Sequence, residues 1–135
     1  MYSNIYFFLL RKDITQTDFD NAPKARIDIS LRPYRDSDYE HFQNLPLADK
    51  LIEANIPTCY VAVTKDDIPC FRAWFFEPPQ NDKMQAFFGY NYPILKDDEF
   101  MVEMVHTVKE YRNLYIYVGV NYMFLRKAID LGYKW

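Results

Sequence analysis

The stretch that decides the fold is EYRNLYIYVGV, residues 110–120, which joins a strand-like run to a run with helical spacing. The run before it, FMVEMVHTV (residues 100–108), is almost continuously apolar, which is typical of a strand buried on both faces. From Ile116 to Leu131 apolar residues recur at helical spacing, and Gly132 stands where a helix C′ residue belongs. The quoted stretch is therefore predicted to be a strand-to-helix connection, and a helix N-terminus of this kind can receive an anion.

The residues upstream predict another strand and two short helices. RIDISLRPY (residues 26–34) alternates apolar and polar side chains, which indicates a half-buried strand. The next segment opens with a capping-box pattern, Ser37 and Glu40, and its short helix is expected to stop before Pro46. LADKLIEAN (residues 47–55) predicts the second short helix.

A predicted hairpin follows, then an insert. TCYVAVTKDDIPCFRAWFFE (residues 58–77) contains two β-rich runs around the turn KDDIP. The insert NDKMQAFFGYNYPILKDDE (residues 81–99) is too irregular to assign an element. The hairpin is expected to place Cys70 opposite Val63 rather than Cys59, so a disulfide is not favoured. Reduced thiols in a cytoplasmic protein are the simplest interpretation.

Length and charge limit the class of protein. A chain of 135 residues predicts a single domain, with an N-terminal strand and connector in residues 1–25 and the core in residues 26–135. The apolar run of residues 5–10 is too short to span a membrane and is predicted to be a strand. The net charge is −3 with scattered Lys and Arg, which argues against nucleic acid as a partner. The order of elements predicts an α/β chain with a mixed sheet.

The order from Arg26 to Trp135 resembles the GNAT superfamily of acyl-CoA-dependent N-acyltransferases. The resemblance is carried by VEMVHTVKEYRNLYIY (residues 102–117) and by the helix with LGYK that follows. In that family a central strand with a Glu precedes a loop of pattern (Gln/Arg)-x-x-Gly-x-(Gly/Ala) and then a helix; here Arg112 begins the loop and Glu103 stands nine residues earlier. The resemblance implies a mixed, twisted sheet with helices on both faces (α/β, or α+β in some schemes). It also implies a C-terminally incomplete core that stops after the start of the fifth core strand.

Two positions depart from the family's loop. Tyr115 and Tyr117 stand where the family has glycine or alanine. Glycine serves there because a Cβ obstructs the approach of a phosphate to the backbone, so the loop is a degenerate version of the motif. The family's usual proton-donating Tyr lies in the part that would follow Trp135, and no residue is assigned to that role.

The resemblance implies acetyl-CoA or another acyl-CoA as co-substrate, no metal, and a small-molecule or peptide amine as acceptor. Glu103 is the candidate general base, because apolar neighbours on both sides favour a raised pKa. Two alternatives stay open for Glu103, pairing with an arginine such as Arg72 or exposure at a sheet edge. The candidate residues for acyl-CoA binding are Val105, His106, Thr107, Arg112, Asn113, Leu114, Tyr115, Ile116 and Tyr117.

Other interpretations stay open beside this one. His41, His106, Cys59 and Cys70 show no metal-ligand spacing, and neither cysteine is marked as an activated nucleophile. The aromatic residues in and before the insert either wall an acceptor pocket or simply pack. The rival function is a non-catalytic remnant that acts as a binding or interaction module. Under either function we expect a homodimer or a strand exchange that covers the region after Gly132.

Overall fold

The computed structural model describes residues 11–135, so the strand predicted for residues 5–10 lies outside the described residues. The strands are β1 (Ile29–Pro33), β2 (Cys59–Thr64), β3 (Pro69–Phe76) and β4 (Met101–Thr107). The α-helices are α1 (Pro46–Glu53), α2 (Asn81–Phe88) and α3 (Ile116–Asp130), and short 3₁₀ helices occupy Asp36–His41, Pro78–Gln80 and Lys109–Tyr111. The four strands form one antiparallel sheet in the order β1-β2-β3-β4. The described chain is therefore α+β, and the prediction of a mixed sheet is wrong for this part of it.

β3 is the centre of the molecule, because all eight of its residues are buried. On one face of the sheet Phe75 packs against Phe124 of α3, with ring centroids 5.6 Å apart. On the other face Trp74 lies in a cluster with Leu51 of α1 and Met84 of α2. Helices therefore cover both faces, as predicted.

β4 is an edge strand, and the prediction that it is buried on both faces is wrong. Among residues 11–135 it pairs only with β3, and Val105 is 39% exposed. A continuous apolar run is typical of central strands, but here β3 occupies the centre and β4 lies outside it. Just before β4 begins, residue 134 lies beside residue 98, because the N–H of Lys134 donates to the Asp98 carbonyl at 2.9 Å.

The predicted hairpin and the final helix are confirmed. β2 and β3 pair around the turn of residues 65–68. α3 ends at Asp130, and Gly132, two residues later, has a φ of 90°, the left-handed conformation expected after a helix. The pairing of Cys70 with Val63 is wrong, because a bulge between Ala62 and Val63 puts Val63 opposite Pro69. Both cysteines are free thiols, as predicted.

The first short helix begins differently from the prediction. It is a 3₁₀ helix, and the carboxylate that closes its start is Asp38, which accepts the Arg35 backbone N–H at 2.8 Å. Arg32 also donates two hydrogen bonds of 2.8 Å to Asp38. The Ser37–Glu40 capping box was therefore the wrong pair, because the arginine on β1 selects the carboxylate that it can reach.

The insert contains a helix that the sequence did not predict. α2 covers Asn81–Phe88 and ends at Gly89, which has a φ of 98°. The Asn81 side chain accepts the Leu95 backbone N–H at 2.9 Å and donates to the Leu95 carbonyl at 2.8 Å. This pair of bonds closes the insert into a loop on the α1 face of the sheet.

None of the helices within residues 11–135 has the length and apolar character that a membrane crossing requires.

Candidate functional site

The connection between β4 and α3 has two residues in the left-handed backbone region. Asn113 has a φ of 66°, and Tyr115 has a φ of 56°. Asparagine tolerates this region, whereas tyrosine pays about 1–2 kcal/mol of steric strain there. The position that the family pattern gives to glycine is therefore one where the backbone conformation itself favours glycine. Tyr117 lies inside the first turn of α3 and has no such strain.

Both tyrosine rings of the loop pack against neighbouring side chains. Tyr115 is 51% exposed as a residue, and the Arg26 guanidinium lies 4.6 Å from the centroid of its ring. The Tyr117 ring lies 6.4 Å from the ring of Phe71. These contacts fix where the two side chains sit at the positions where the family has small residues.

Among the described residues, no side chain caps the N-terminus of α3. Its N-cap residue, Tyr115, makes no side-chain hydrogen bond to the helix, and the first turn holds no acidic residue. The N–H of Gly119 donates to the Tyr115 carbonyl at 3.0 Å, so the amides of residues 116–118 precede the first intrahelical bond. A 15-residue helix places a partial positive charge at this end.

Two arginines flank this helix end. Arg26 and Arg112 both line a cleft of about 490 Å³, together with the loop and the start of α3. The Arg112 Nε donates to the Thr107 carbonyl at 3.3 Å, which leaves its two terminal nitrogens outside that bond. Arg26 is held there because its backbone N–H donates to the Leu114 carbonyl at 2.8 Å. Sequence reasoning missed Arg26, and only a long-range contact brings it to the loop.

A bulge in β4 decides which side chains share a face. Glu103 lies opposite Trp74, and His106 lies opposite Arg72, although the two β4 residues are three apart. In a regular strand this spacing puts side chains on opposite faces. The register shift in the β3–β4 pairing, together with Met104 at a φ of 53°, adds one residue to β4. Glu103 and His106 therefore both face the layer of α1 and α2.

Glu103 lies in a partly buried, aromatic environment. Burial raises its pKa, and the backbone N–H of Met104 acts in the opposite direction. Tyr92 is close by: burial raises the pKa of its phenol, and the charge of Glu103 adds to that effect. Within the described part of the chain no ion pair joins Glu103 to Arg72, so the first of the two alternatives for Glu103 is not seen; for the second, β4 is an edge strand among these residues and Glu103 is partly buried.

Arg72 is a fully buried cation in the middle of this face. Its guanidinium lies 4.7 Å from the centroid of the Phe42 ring and 5.3 Å from that of Trp74. None of its three side-chain nitrogens has a hydrogen-bond partner among the described residues. Burial lowers the pKa of His106, and Arg72 and Arg112 lower it further, so the imidazole is neutral at neutral pH.

The cysteines and the aromatic residues contribute less to the site. Burial raises the pKa of Cys59 to about 12 and that of Cys70 to about 11, so both thiols stay protonated and are poor nucleophiles. Within residues 11–135 no three His, Cys, Asp or Glu side chains are grouped closely enough to hold a metal ion. Trp74 is core, whereas Tyr90 of the same predicted aromatic group is 94% exposed.

Comparisons of this chain with protein-family models, with curated proteins and with solved structures gave no match.

Proposed function

We propose that this chain is an N-acyltransferase that binds acyl-CoA at the N-terminal end of α3 and transfers the acyl group to an amine. The observation that carries the proposal is the uncapped start of α3 beside Arg26 and Arg112. Backbone donors and two cations at one cleft suit a pyrophosphate group. The family resemblance of the sequence supplies the identity of the ligand.

The residues around the cleft have distinct roles in this proposal. The amides of residues 116–118 donate to the phosphate oxygens, and Arg112 presents its terminal nitrogens to the same group. Arg26 adds a second charge and, through its contact with the Tyr115 ring, orders the loop. The strained Tyr115 is the weakest feature of the site, because its backbone would be relaxed by glycine.

The outer edge of β4 supports the placement of the thioester end of acyl-CoA near Glu103. Glu103 is four residues from Thr107 along β4, about 13 Å in an extended strand. A chain that starts at the phosphate cleft and follows this edge therefore reaches the level of Glu103. Among the described residues the edge has no strand partner along Met101–Thr107, which supports main-chain contacts between this edge and a ligand.

Glu103 is the proposed general base. Acyl-CoA supplies a thioester, whose carbonyl carbon an amine attacks so that a C–N bond forms and the C–S bond breaks. The carboxylate of Glu103 takes the proton that the ammonium must lose before attack, directly or through a water. A raised pKa lies nearer to neutral pH, which suits a general base for this proton transfer.

Binding is tested by isothermal titration with CoA and acetyl-CoA. Arg112→Gln and Arg26→Gln are each expected to weaken binding by roughly tenfold, because each removes a charged contact to phosphate. Lys109→Gln is the matched control, since Lys109 is an exposed cation of the same loop that does not line the cleft. Equal affinity of all three variants, or no binding by the native chain, contradicts the proposal.

Catalysis is tested separately with acetyl-CoA and a panel of amines, by following thiol release. Glu103→Gln is expected to keep CoA binding and to lose transfer. Glu53→Gln, an exposed carboxamide substitution on α1, is expected to keep both. Full transfer by Glu103→Gln removes Glu103 from the mechanism without affecting the proposal for the phosphate cleft.

The edge of β4, which among residues 11–135 pairs only with β3, favours a second candidate function, an interaction module. An edge strand with unpaired main-chain groups is a template for another strand, and Val105 presents an apolar side chain there. The homodimer or strand exchange expected from the sequence covers the region after Gly132; in this candidate function a partner strand lies along the edge of β4 instead. Analytical ultracentrifugation tests it: Val105→Lys is expected to shift a dimer toward monomer, and a native chain that stays monomeric at high concentration contradicts it.

A further inference from the structure

A second cavity lies on the face of the sheet that α3 covers, whereas Glu103 faces the layer of α1 and α2. We call it the α3–β1 groove; its walls are the connector of residues 19–25 and residues 119–130 of α3, and its floor is formed by the β1 segment and Tyr60. Its volume is about 840 Å³, within the range of small-molecule sites. It shares no residue with the cleft of Arg26 and Arg112.

The floor of the groove is apolar. Ile27, Ile29 and Leu31 project from the β1 segment onto this face, where they contact the core beneath α3. Met123 of α3 closes the other side. A hydrocarbon body placed here is removed from water at about 25 cal/mol per Å² of its apolar surface.

A cation without a carboxylate partner lies inside the groove. The Lys127 Nζ is 5.1 Å from the centroid of Tyr60 and 5.9 Å from that of Phe75, so its ammonium rests against ring faces. No ion pair among residues 11–135 involves Lys127 or its neighbour Arg126, whose guanidinium stacks 3.9 Å over Phe19. Lys127 is half-buried, and its three N–H donors meet no acceptor within hydrogen-bond distance in the described structure.

The charged side chains that line the groove give it a net positive charge. Lys24 adds a third cation at the edge, and the carboxylates that line the groove, Asp28 and Asp130, are both exposed. Neither carboxylate lies within 4.0 Å of a cation of the groove, since neither takes part in an ion pair of the described chain. Three cations and two carboxylates line the groove, so its lining carries a net positive charge that favours an anionic group.

We propose that the α3–β1 groove binds a carboxylate carried on a hydrocarbon body, with the carboxylate on Lys127 and the body along Ile29 and Leu31. Charge complementarity selects the headgroup, because a partly desolvated ammonium gains a charge-assisted hydrogen bond that the ring faces do not provide. The apolar floor selects the body. This site does not depend on the proposed acyl transfer.

The experiment is a titration of the native chain with octanoate, followed by NMR amide shifts. Saturable binding is expected, with the largest shifts in β1 and at the C-terminal half of α3. Acetate, which has the charge without the body, and octan-1-ol, which has the body without the charge, are each expected to bind at least about tenfold more weakly. Equal binding of octanol and octanoate, or no saturation, overturns the proposal.

Variants test the role of the cation. Lys127→Gln is expected to weaken octanoate binding by about tenfold, whereas Lys127→Arg keeps it within a few-fold. Lys50→Gln, an exposed lysine of α1 on the other face of the sheet, is the matched control and is expected to bind as the native chain does. Unchanged binding by Lys127→Gln overturns the proposal. Self-association that Lys127→Gln abolishes also overturns it, because a second copy would then be the occupant.

Discussion

Replacement of Arg72 by methionine is expected to stabilise the protein. The guanidinium is fully buried, and each of its three nitrogens lacks a hydrogen-bond partner in the described structure. A buried unsatisfied polar group costs about 1–3 kcal/mol, so the lower value gives about 3 kcal/mol for the three groups. The contacts with the rings of Phe42 and Trp74 offset about 1 kcal/mol of this. Methionine fills most of the same space without polar atoms, so the expected gain is about 2 kcal/mol.

The assay is urea unfolding at neutral pH, followed by the fluorescence of buried Trp74. In thermal unfolding, an entropy of about 2.1 cal/mol/K per residue converts a gain of about 2 kcal/mol in unfolding free energy into a rise of about 7 °C in Tm. The midpoint of the urea transition is expected to rise with an unchanged m value, because the surface exposed on unfolding is nearly the same.

Arg72→Ala is the matched control. It removes the same polar atoms but leaves a void beneath Phe42 and Trp74, so it is expected to be about 2–3 kcal/mol less stable than Arg72→Met. A loss of more than about 1 kcal/mol in Arg72→Met refutes the reasoning. That result would mean that the guanidinium is hydrogen-bonded in solution and that its charge supports the fold.

Three further predictions concern single side chains. Glu103→Gln is expected to be more stable than the native chain at neutral pH and equal to it near pH 4. The raised pKa of Glu103 in the folded native chain contributes stability below the unfolded pKa, and this contribution is lost as the pH rises through the folded pKa. Unfolding midpoints measured across that pH range will check the prediction. Tyr115→Gly is expected to tighten CoA binding in a calorimetric titration, because it relaxes the left-handed backbone (φ 56°), although it gives up the contact with Arg26; weaker binding contradicts the assigned role of the loop. Asp38→Asn is expected to cost about 3 kcal/mol in urea unfolding, because it leaves the nearly buried Arg32 with one carboxylate in place of two; a loss below about 1 kcal/mol contradicts the importance of this pair.

Local patterns predicted the elements whose signals are local. The KDDIP turn between two β-rich runs and the helical spacing after Tyr115 each lie within about twenty residues, and both predictions agree with the structure. The prediction of where β4 lies in the sheet was wrong because that position depends on contacts that are not local. Hydrophobicity reports how apolar a strand is, whereas its place in the sheet depends on which strands pair, and those contacts lie far apart in the sequence.

The parts of the candidate site were predicted unevenly. The loop from Arg112 to Tyr117 and the helix that follows it were found from one contiguous motif. The bulge at Met104 was not found, because no glycine marks it, and it decides that His106 shares a face with Glu103. Arg26 was missed because its role comes from a single backbone hydrogen bond to Leu114.

The crossing of α3 and the connector at Gly119 links the two cavities. A Cβ at Gly119 would come within 2.9 Å of the Ala25 backbone nitrogen, so helix and connector touch here without a side chain between them. Ala25 belongs to the wall of one cavity, and the next residue, Arg26, belongs to the other. A bulkier residue at 119 would push the connector outward and displace the Arg26 charge, although residue 119 does not line the cleft of Arg26 and Arg112. The crossing therefore sets how closely the connector approaches α3, and any shift of the connector at Ala25 would move Arg26 as well.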